Sequence, residues 1–198
     1  FGEAVIAGLA QVTGTTTGVV AYQGVIDGDA CSKAARFIRF CDAFAIPVVS
    51  FVDAEKFASV REASKLSNAY SEATCPKVTV IAGSACGAVY IAMAGRGANA
   101  VVTLAWPCAT VSPLAPATGA LFAWNDKLAG SENPVEDRKK LIEEYKNTEC
   151  TPFKAAAGGF IEDIIQPSET RAKVIANLDM LASKRVSRLP KKHANIQL

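Results

Sequence analysis

The sequence predicts an α/β fold built around mainly parallel strands. Three short runs rich in β-branched residues, at 18–24, 46–53 and 77–83, are bounded by Gly, Pro or Asp, as buried strands usually are. A segment with helical character follows each run, which gives the order β-α-β-α-β-α. This alternation is typical of parallel strands joined by crossover helices, so we expect helices packed on a sheet.

The crossover helices are predicted from the spacing of apolar residues. The helix at 32–44 has apolar residues at three- and four-residue steps: Ala34, Phe37, Ile38, Cys41 and Phe44. A weaker helix is expected at 55–73, with one apolar side made of Val60, Ala63, Leu66, Ala69 and Tyr70. Residues 85–94 are apolar on nearly all sides, which predicts a buried helix.

The second half of the chain predicts further helices. A turn and an apolar helix are expected at 113–124, followed by a charged, exposed helix at 130–147. A strand-like start at 160 breaks at Pro167, and an amphipathic helix follows to 185. We expect a single domain over 1–198, in which 186–198 forms an extended C-terminal tail.

Composition and charge exclude several classes of protein. The chain has 21 Lys and Arg against 19 Asp and Glu, a net charge of +2, so a nucleic-acid-binding surface is not expected. The apolar stretch at 78–95 is interrupted by three glycines, so no membrane span is expected either. The chain opens with Phe1 and shows no signal peptide, and we expect native sequence upstream of it.

The cysteine pattern argues against a metal site. None of the six cysteines forms a C-x-x-C pair, and His193 is the single histidine of the sequence. Most of the cysteines lie in apolar stretches, where a thiol behaves as a small hydrophobic group. Free thiols without an export signal predict a reducing, cytoplasmic location.

The segment at 77–95 is the best candidate for a functional site. A buried strand runs into small residues, and a helix is predicted directly after them. Free backbone N–H groups at a helix start can stabilise a developing negative charge. Small residues at Gly83, Ala85, Gly87 and Ala88 would let a carbonyl or ureido oxygen approach the backbone. Close packing of the strand on the helix explains the same small residues equally well.

Other catalytic motifs do not fit this segment. Ser84 or Cys86 as a nucleophile would need His193 as its base, and the spacing differs from the G-x-S-x-G elbow. Residues 95–100 superficially match a dinucleotide fingerprint, but they follow a predicted helix instead of opening one after a strand.

Four stretches of the sequence together resemble one known family. They read KAARFIRFCDAFAIPVVSFV at 33–52, YSEATCPKVTVI at 70–81, LAWP at 104–107 and ASKRVSRLPKKHANIQL at 182–198. In combination they resemble the C-terminal half of the β-type carboxyltransferase subunits of propionyl-CoA carboxylase and of related acyl-CoA carboxylases and decarboxylases. The strings ending in AFAIP and NIQL are specific, because amphipathicity explains neither. The similarity extends from Gly18 to Leu198.

The resemblance implies a fold and an activity. The fold is crotonase-like, a spiral of ββα units, and the complete subunit has two such halves. The active site lies where the N-terminal half of one protomer meets the C-terminal half of another. A carboxyl group moves between biotin and an acyl-CoA through an enolate, and the C-terminal half mainly receives biotin.

The resemblance also implies residue roles and partners. The family's tyrosine–glycine–glycine–alanine stretch aligns with Cys86, Gly87, Ala88 and Val89. It implies that the backbone N–H groups of Gly87 and Ala88 bind an oxyanion, and that biotin or substrate is bound by Ser84, Ala85, Cys86 and Val89. No Met-Lys-Met carrier motif is present, so biotin would arrive on another domain or subunit. The expected partners are a biotin carrier protein, an N-terminal-half domain and acyl-CoA, with no metal.

Three departures from the family leave other functions open. The proline–glycine–phenylalanine loop is missing after Asp53, the loop at 23–29 is shortened, and SPLAPATG at 112–119 replaces a methionine–glycine pair. The chain could therefore be a carboxyltransferase subunit, a non-catalytic structural subunit of the same complex, or a biotin-independent crotonase-type hydrolase or isomerase. A homo- or hetero-oligomer is expected, because the phenylalanines at 37, 40 and 44 spread more widely than one core face needs.

Overall fold

Seven strands form one mixed sheet in the computed structural model, which describes residues 1–98, 100–128 and 133–187. The strands are β1 Val5–Val12, β2 Thr15–Ile26, β3 Val48–Phe57, β4 Lys77–Cys86, β5 Val102–Ala105, β6 Thr110–Ser112 and β7 Asp163–Ile164. They follow the order β1-β2-β3-β4-β5-β7, and β6 pairs with β4. The β1–β2 pair is antiparallel and the other pairs are parallel, which confirms the α/β class with mainly parallel strands.

Five of the six α-helices of the described residues overlap predicted helices, and the helix Pro152–Ala157 was not predicted. The six helices are α1 Gly28–Ala43, α2 Val60–Glu72, α3 Pro116–Trp124, α4 Pro134–Glu149, α5 Pro152–Ala157 and α6 Thr170–Leu181. Asp27 begins α1, because its carboxylate accepts a hydrogen bond of 2.7 Å from the Ala30 N–H. Proline stands in the first turn of α4, where its missing N–H removes no helical bond.

Helices cover both faces of the sheet. Val48 and Val52 of β3 pack in one apolar cluster with residues of α1, α2 and the 90–94 segment, whereas Val49 packs on the opposite face with residues of α6. Neighbouring residues of a strand point to opposite faces, so a strand that is apolar throughout must be covered on both sides. Among the described residues, no helix is both long and apolar enough to cross a membrane.

The hairpin of β1 and β2 was not predicted. Thr13 and Gly14 join the two strands with φ angles of 49° and 80°. Two positive φ angles in a two-residue loop define the type I′ turn, whose twist suits a β-hairpin. Most side chains of β1 are exposed, so the strand lacks the apolar alternation that predicts strands.

Two boundaries and one buried position were predicted wrongly. Strand β3 continues to Phe57, so the second helix begins at Val60 instead of 55. Val60 is 87% exposed, although it was placed on the apolar side of that helix. Phe44 is 67% exposed, and it is one of the three phenylalanines expected to spread beyond one core face. The extent of the single domain stays a prediction, and most of the predicted tail lies outside the described residues.

A chain of three buried hydroxyl groups links the sheet to α2. The Tyr70 hydroxyl lies 2.7 Å from the Tyr22 hydroxyl and 2.7 Å from that of Ser50. Burial raises the pKa of Tyr70 to about 12, so this hydroxyl stays neutral at physiological pH. Buried hydroxyl groups are costly unless they are paired, so Tyr70 satisfies both neighbours at once.

Tyr70→Phe is expected to destabilise the protein more than Tyr22→Phe. The first change deprives two buried hydroxyl groups of their partner, and we expect it to cost about 2 kcal/mol. The second deprives only Tyr70 of one bond and should cost about 1 kcal/mol. Unfolding in guanidinium chloride measures both values. Equal losses would mean that the hydroxyl chain does not act as a unit.

Candidate functional site

Strand β4 ends in a sharp turn at Gly87. Gly87 has a φ of 55°, a conformation that residues with a Cβ rarely adopt. A π-helix, Tyr90–Ala94, follows within three residues, and its Gly95 N–H bonds back to the Tyr90 carbonyl at 2.6 Å. The predicted helix at 85–94 therefore begins later, because β4 extends to Cys86. Short π-helical segments are rare and occur often at functional sites.

The two backbone N–H groups predicted to bind an oxyanion differ in whether they already donate a hydrogen bond within the protein. The Gly87 N–H donates to the Ser112 carbonyl at 2.9 Å, which corrects the expectation that it is open to a ligand. The bond arises because β4 pairs with β6 up to Cys86 and Ser112, and Gly87 continues that pairing by one N–H. No acceptor for the Ala88 N–H lies among the residues that the structure describes, and Ala88 is exposed. Ala88 therefore offers the open donor.

The other predicted site residues are packed or hydrogen-bonded next to the turn. The side chains of Ala85, Cys86 and Val89 are buried. The Cys86 thiol lies 3.3 Å from the Ser112 hydroxyl, and the Ser84 N–H donates to the Asp53 carboxylate at 2.9 Å. Contact of these residues with a ligand stays a prediction.

The nucleophile alternative gains no support within the described residues. The Ser84 hydroxyl has only a long contact of 3.9 Å, to the Cys86 thiol. His193, the base that such a mechanism would need, lies outside the described residues.

A cavity of about 420 Å³ opens beside the turn. Its described lining is mainly apolar or aromatic and consists of Gly87, Tyr90, Ile91, Val111, Ser112, Pro113, Tyr145, Glu149, Lys154, Ala155 and Phe160. Small-molecule sites are typically clefts of this size with few polar groups. The cavity therefore joins the predicted turn to residues near 145–160 that were not predicted as part of the site.

Contacts between aromatic side chains connect the segments that line this cavity. The Tyr90 hydroxyl donates to the Phe160 carbonyl at 2.6 Å, and the two rings meet edge to face. Tyr145 of α4 meets Trp124 of α3 edge to face, with ring centres 5.1 Å apart. Gly119 permits this approach, because a Cβ there would lie 2.6 Å from the Tyr145 ring. Each wall thus combines residues that are distant in sequence, and no local motif marks them.

A second cavity, of about 500 Å³, lies elsewhere and is larger. Asp42 lines it, but this carboxylate already accepts hydrogen bonds from the Thr74 and Cys75 N–H groups at 2.6 and 2.9 Å. None of the predicted site residues contributes to it. We therefore place the candidate site at the cavity beside Gly87.

Burial controls the titration of groups around the site. Burial raises the pKa of the Tyr90 hydroxyl, and Glu162 adds to the effect. Burial also raises the pKa of the Tyr145 hydroxyl and of the Cys150 thiol. These groups therefore remain protonated at neutral pH. Within 1–98, 100–128 and 133–187, no group of three or more His, Cys, Asp or Glu residues is arranged to hold a metal ion.

The comparisons with known proteins agree on one family. A family model described as the carboxyl transferase domain matches residues 1–196. The carboxyltransferase subunit of propionyl-CoA carboxylase from Haloferax mediterranei is 41% identical over 212 residues, covering 100% of this chain and 41% of that protein. The chain thus spans about two fifths of the length of the curated relatives that it matches.

Solved structures confirm the predicted crotonase-like fold. The crystal structure of transcarboxylase 12S matches with a TM-score of 0.90 and 37% identity, covering 98% of this chain and 40% of that one. The β subunit of geranyl-CoA carboxylase from P. aeruginosa matches with a TM-score of 0.79 over 98% of this chain and 39% of that one. At 20% identity, the second likeness supports the fold alone.

Gly87→Ala is expected to lower the free energy of unfolding by about 1–2 kcal/mol, because alanine is strained at this φ. Its Cβ would also lie 3.3 Å from the Pro113 carbonyl oxygen. Gly8→Ala is the matched control, because no atom lies within 4 Å of a Cβ there. Thermal and denaturant unfolding compare the two. A loss in both variants, or in neither, would remove the argument for a strained turn.

Cys108 is expected to react with thiol reagents faster than the other five cysteines. Cys108 is exposed, whereas the remaining five are buried. Burial also raises the pKa of the Cys31 and Cys75 thiols to about 12 and that of Cys41 to about 11, which depletes the reactive thiolate. Titration with a chromogenic disulfide at pH 8 should show one fast thiol in the folded chain and six after unfolding. Cys108→Ser should remove the fast phase, and its persistence would contradict the described burial.

Proposed function

Because the chain belongs to the carboxyl transferase domain family, we propose that it is a carboxyltransferase component that contributes the biotin-side half of the active site. It would act in moving a carboxyl group between biotin and an acyl-CoA. The relatives support this proposal through their names, which include carboxyltransferase subunits of propionyl-CoA carboxylase and a methylmalonyl-CoA carboxyltransferase subunit. The match extends over the whole candidate site.

The observation that carries the proposal is the exposed Ala88 N–H at the turn between β4 and the π-helix. Gly87, the residue before this donor, lines a cavity of about 420 Å³ whose walls are mainly apolar or aromatic. Hydrogen bonds to a developing charge are stronger where water is excluded. A neutral, flat ring with one exposed oxygen fits such walls and such a donor, so the residues present suit the ureido ring of biotin.

The chemistry divides between the cofactor and the chain. Carboxylated biotin, when bound, would supply the carboxyl group. The Ala88 N–H would donate to the ureido oxygen, on which negative charge would develop. The Ser112 carbonyl holds the Gly87 N–H and thereby fixes the peptide that precedes the donor. Tyr90 and Phe160 form part of the aromatic lining of the cavity next to Gly87.

The remaining components are part of the same proposal. The acyl-CoA side would come from an N-terminal-half domain, and biotin would come on a carrier protein or domain. No metal takes part in the proposed reaction. Assembly into oligomers is expected from the exposed rings of Phe40 and Phe44, which are 45% and 67% exposed. The cytoplasmic location expected from the cysteines stays a prediction.

The bonded Gly87 N–H favours a second candidate function. If the turn cannot release that N–H, the site retains one donor in place of the expected pair. A non-catalytic structural subunit of a carboxylase or decarboxylase complex would tolerate this loss. Such a subunit would bind partner chains stably and catalyse no transfer with any of them.

Carboxyl transfer from carboxybiotin to an acyl-CoA, measured with the N-terminal half and the biotin carrier added, tests the proposal. Ala88→Pro removes the donor, and proline is tolerated in the first turn of a helix. We expect turnover to fall about 100- to 1,000-fold, as for other single oxyanion donors. Ala88→Ser keeps the N–H and should remain active.

Other outcomes would contradict the proposal. Undiminished transfer by Ala88→Pro with its fold intact excludes Ala88 as the donor. Gly87→Val, which crowds the same turn by a different route, should also be inactive. Absence of transfer by the unaltered chain, together with stable complex formation, supports the structural role. Turnover of an acyl-CoA without biotin supports a crotonase-type hydrolase or isomerase.

A further inference from the structure

We propose that Lys154 positions the carboxylate that is transferred, so that the cavity prefers the carboxylated substrate to the uncarboxylated one. The inference rests on the proposed carboxyltransferase function and assigns a role that the turn at Gly87 does not fill. In the proposed function the turn stabilises an oxyanion on the ureido ring, whereas the transferred group carries a separate negative charge.

The charge distribution of the cavity supports this role. Among the described residues of its lining, Lys154 is the one cation and Glu149 the one anion. The rest of the lining is apolar, aromatic or hydroxyl-bearing. A carboxylate that leaves water for such a surface needs a cationic partner, because an unpaired charge is costly to desolvate. Lys154 is the residue of the lining that meets this need.

Glu149 holds Lys154 in place before the ligand arrives. The Lys154 Nζ lies 2.5 Å from the Glu149 Oε2, and their side chains are 55% and 34% exposed. An ammonium group has three N–H donors, so a bond to Glu149 leaves capacity for a second carboxylate. Because the pair is partly exposed, it adds little to stability and the lysine can turn toward a ligand at low cost.

The backbone fixes the base of the Lys154 side chain. The Lys154 N–H donates to the Thr151 hydroxyl at 3.3 Å, which caps α5. Ala155, the next residue, lines the same cavity. Lys154 and Gly87 therefore line one cavity. A carboxylate held by Lys154 would lie in the cavity that Gly87 also borders.

Calorimetric titration of the chain together with the N-terminal half tests the inference without requiring turnover. The probes are methylmalonyl-CoA and propionyl-CoA, which differ by one carboxylate. We expect the unaltered protein to bind the carboxylated probe about tenfold more tightly, a typical gain for a charged hydrogen bond. Lys154→Met should abolish the preference, whereas Lys154→Arg, which keeps the charge, should retain most of it.

Lys140→Met is the matched control. Lys140 is also ion-paired, with its Nζ 3.6 Å from the Asp137 Oδ1, but it lies on α4 outside the cavity lining. This variant should keep the full preference. Folding of each variant is checked by thermal unfolding, so that a loss of preference in a folded Lys154→Met protein reports on the ligand.

The outcomes separate this inference from the proposed function. Preference lost in Lys154→Met and kept in Lys154→Arg supports the role of Lys154, even if the complex catalyses no transfer. Equal affinity of the unaltered protein for both probes, or an unchanged preference in Lys154→Met, overturns the inference while the carboxyltransferase proposal stands. Failure of both probes to bind overturns both.

Discussion

The change of pairing partner along β4 is the constraint on which the candidate site depends. Residues 78–81 pair with β5, and residues 84–86 pair with β6. Between these segments the Asp53 carboxylate accepts the Ser84 N–H, and a Cβ at Gly83 would lie 2.0 Å from an Asp53 oxygen. Glycine is therefore required where the strand diverges. Without this divergence β4 would not bring Gly87 and Ser112 together, and the turn would have no defined direction.

The same pairing explains why the turn offers one donor instead of two. The parallel pairing with β6 extends one residue past Cys86, because the Gly87 N–H donates to the Ser112 carbonyl. The Ala88 N–H lies beyond this pairing and has no acceptor among the described residues. The Gly87 carbonyl in turn accepts the Ile91 N–H at 3.1 Å, and this second bond restricts the peptide between Gly87 and Ala88 that carries the remaining N–H. A donor that is already oriented needs little reorganisation when charge develops, and such preorganisation is a main source of catalytic stabilisation. The occupied donor and the restrained one thus result from two hydrogen bonds of Gly87, one through its N–H and one through its carbonyl.

The sequence predicted the layers of the fold and the location of the turn, because both depend on local patterns. The first half of β3, at 48–52, is mostly apolar and buried, and α1 has apolar residues at helical spacing. Strand β1 was missed because its side chains are mostly exposed. The far wall of the cavity was missed because Tyr145 and Phe160 meet the turn only through tertiary packing. The bond between Gly87 and Ser112 was missed for the same reason, since it joins residues 25 positions apart in sequence.

The candidate site is more easily understood as one half of a transfer site than as a complete one. Carboxyl transfer between a ureido ring and a thioester develops negative charge on two oxygens, one on each reactant. The described turn has one open N–H, and the cavity has one cation, which cannot approach both oxygens at once. Under the proposed function, stabilisation of the second oxygen therefore needs donors beyond this turn and this cavity. The chain matches about two fifths of the length of its relatives, and the remaining length of those relatives is where such donors would be sought.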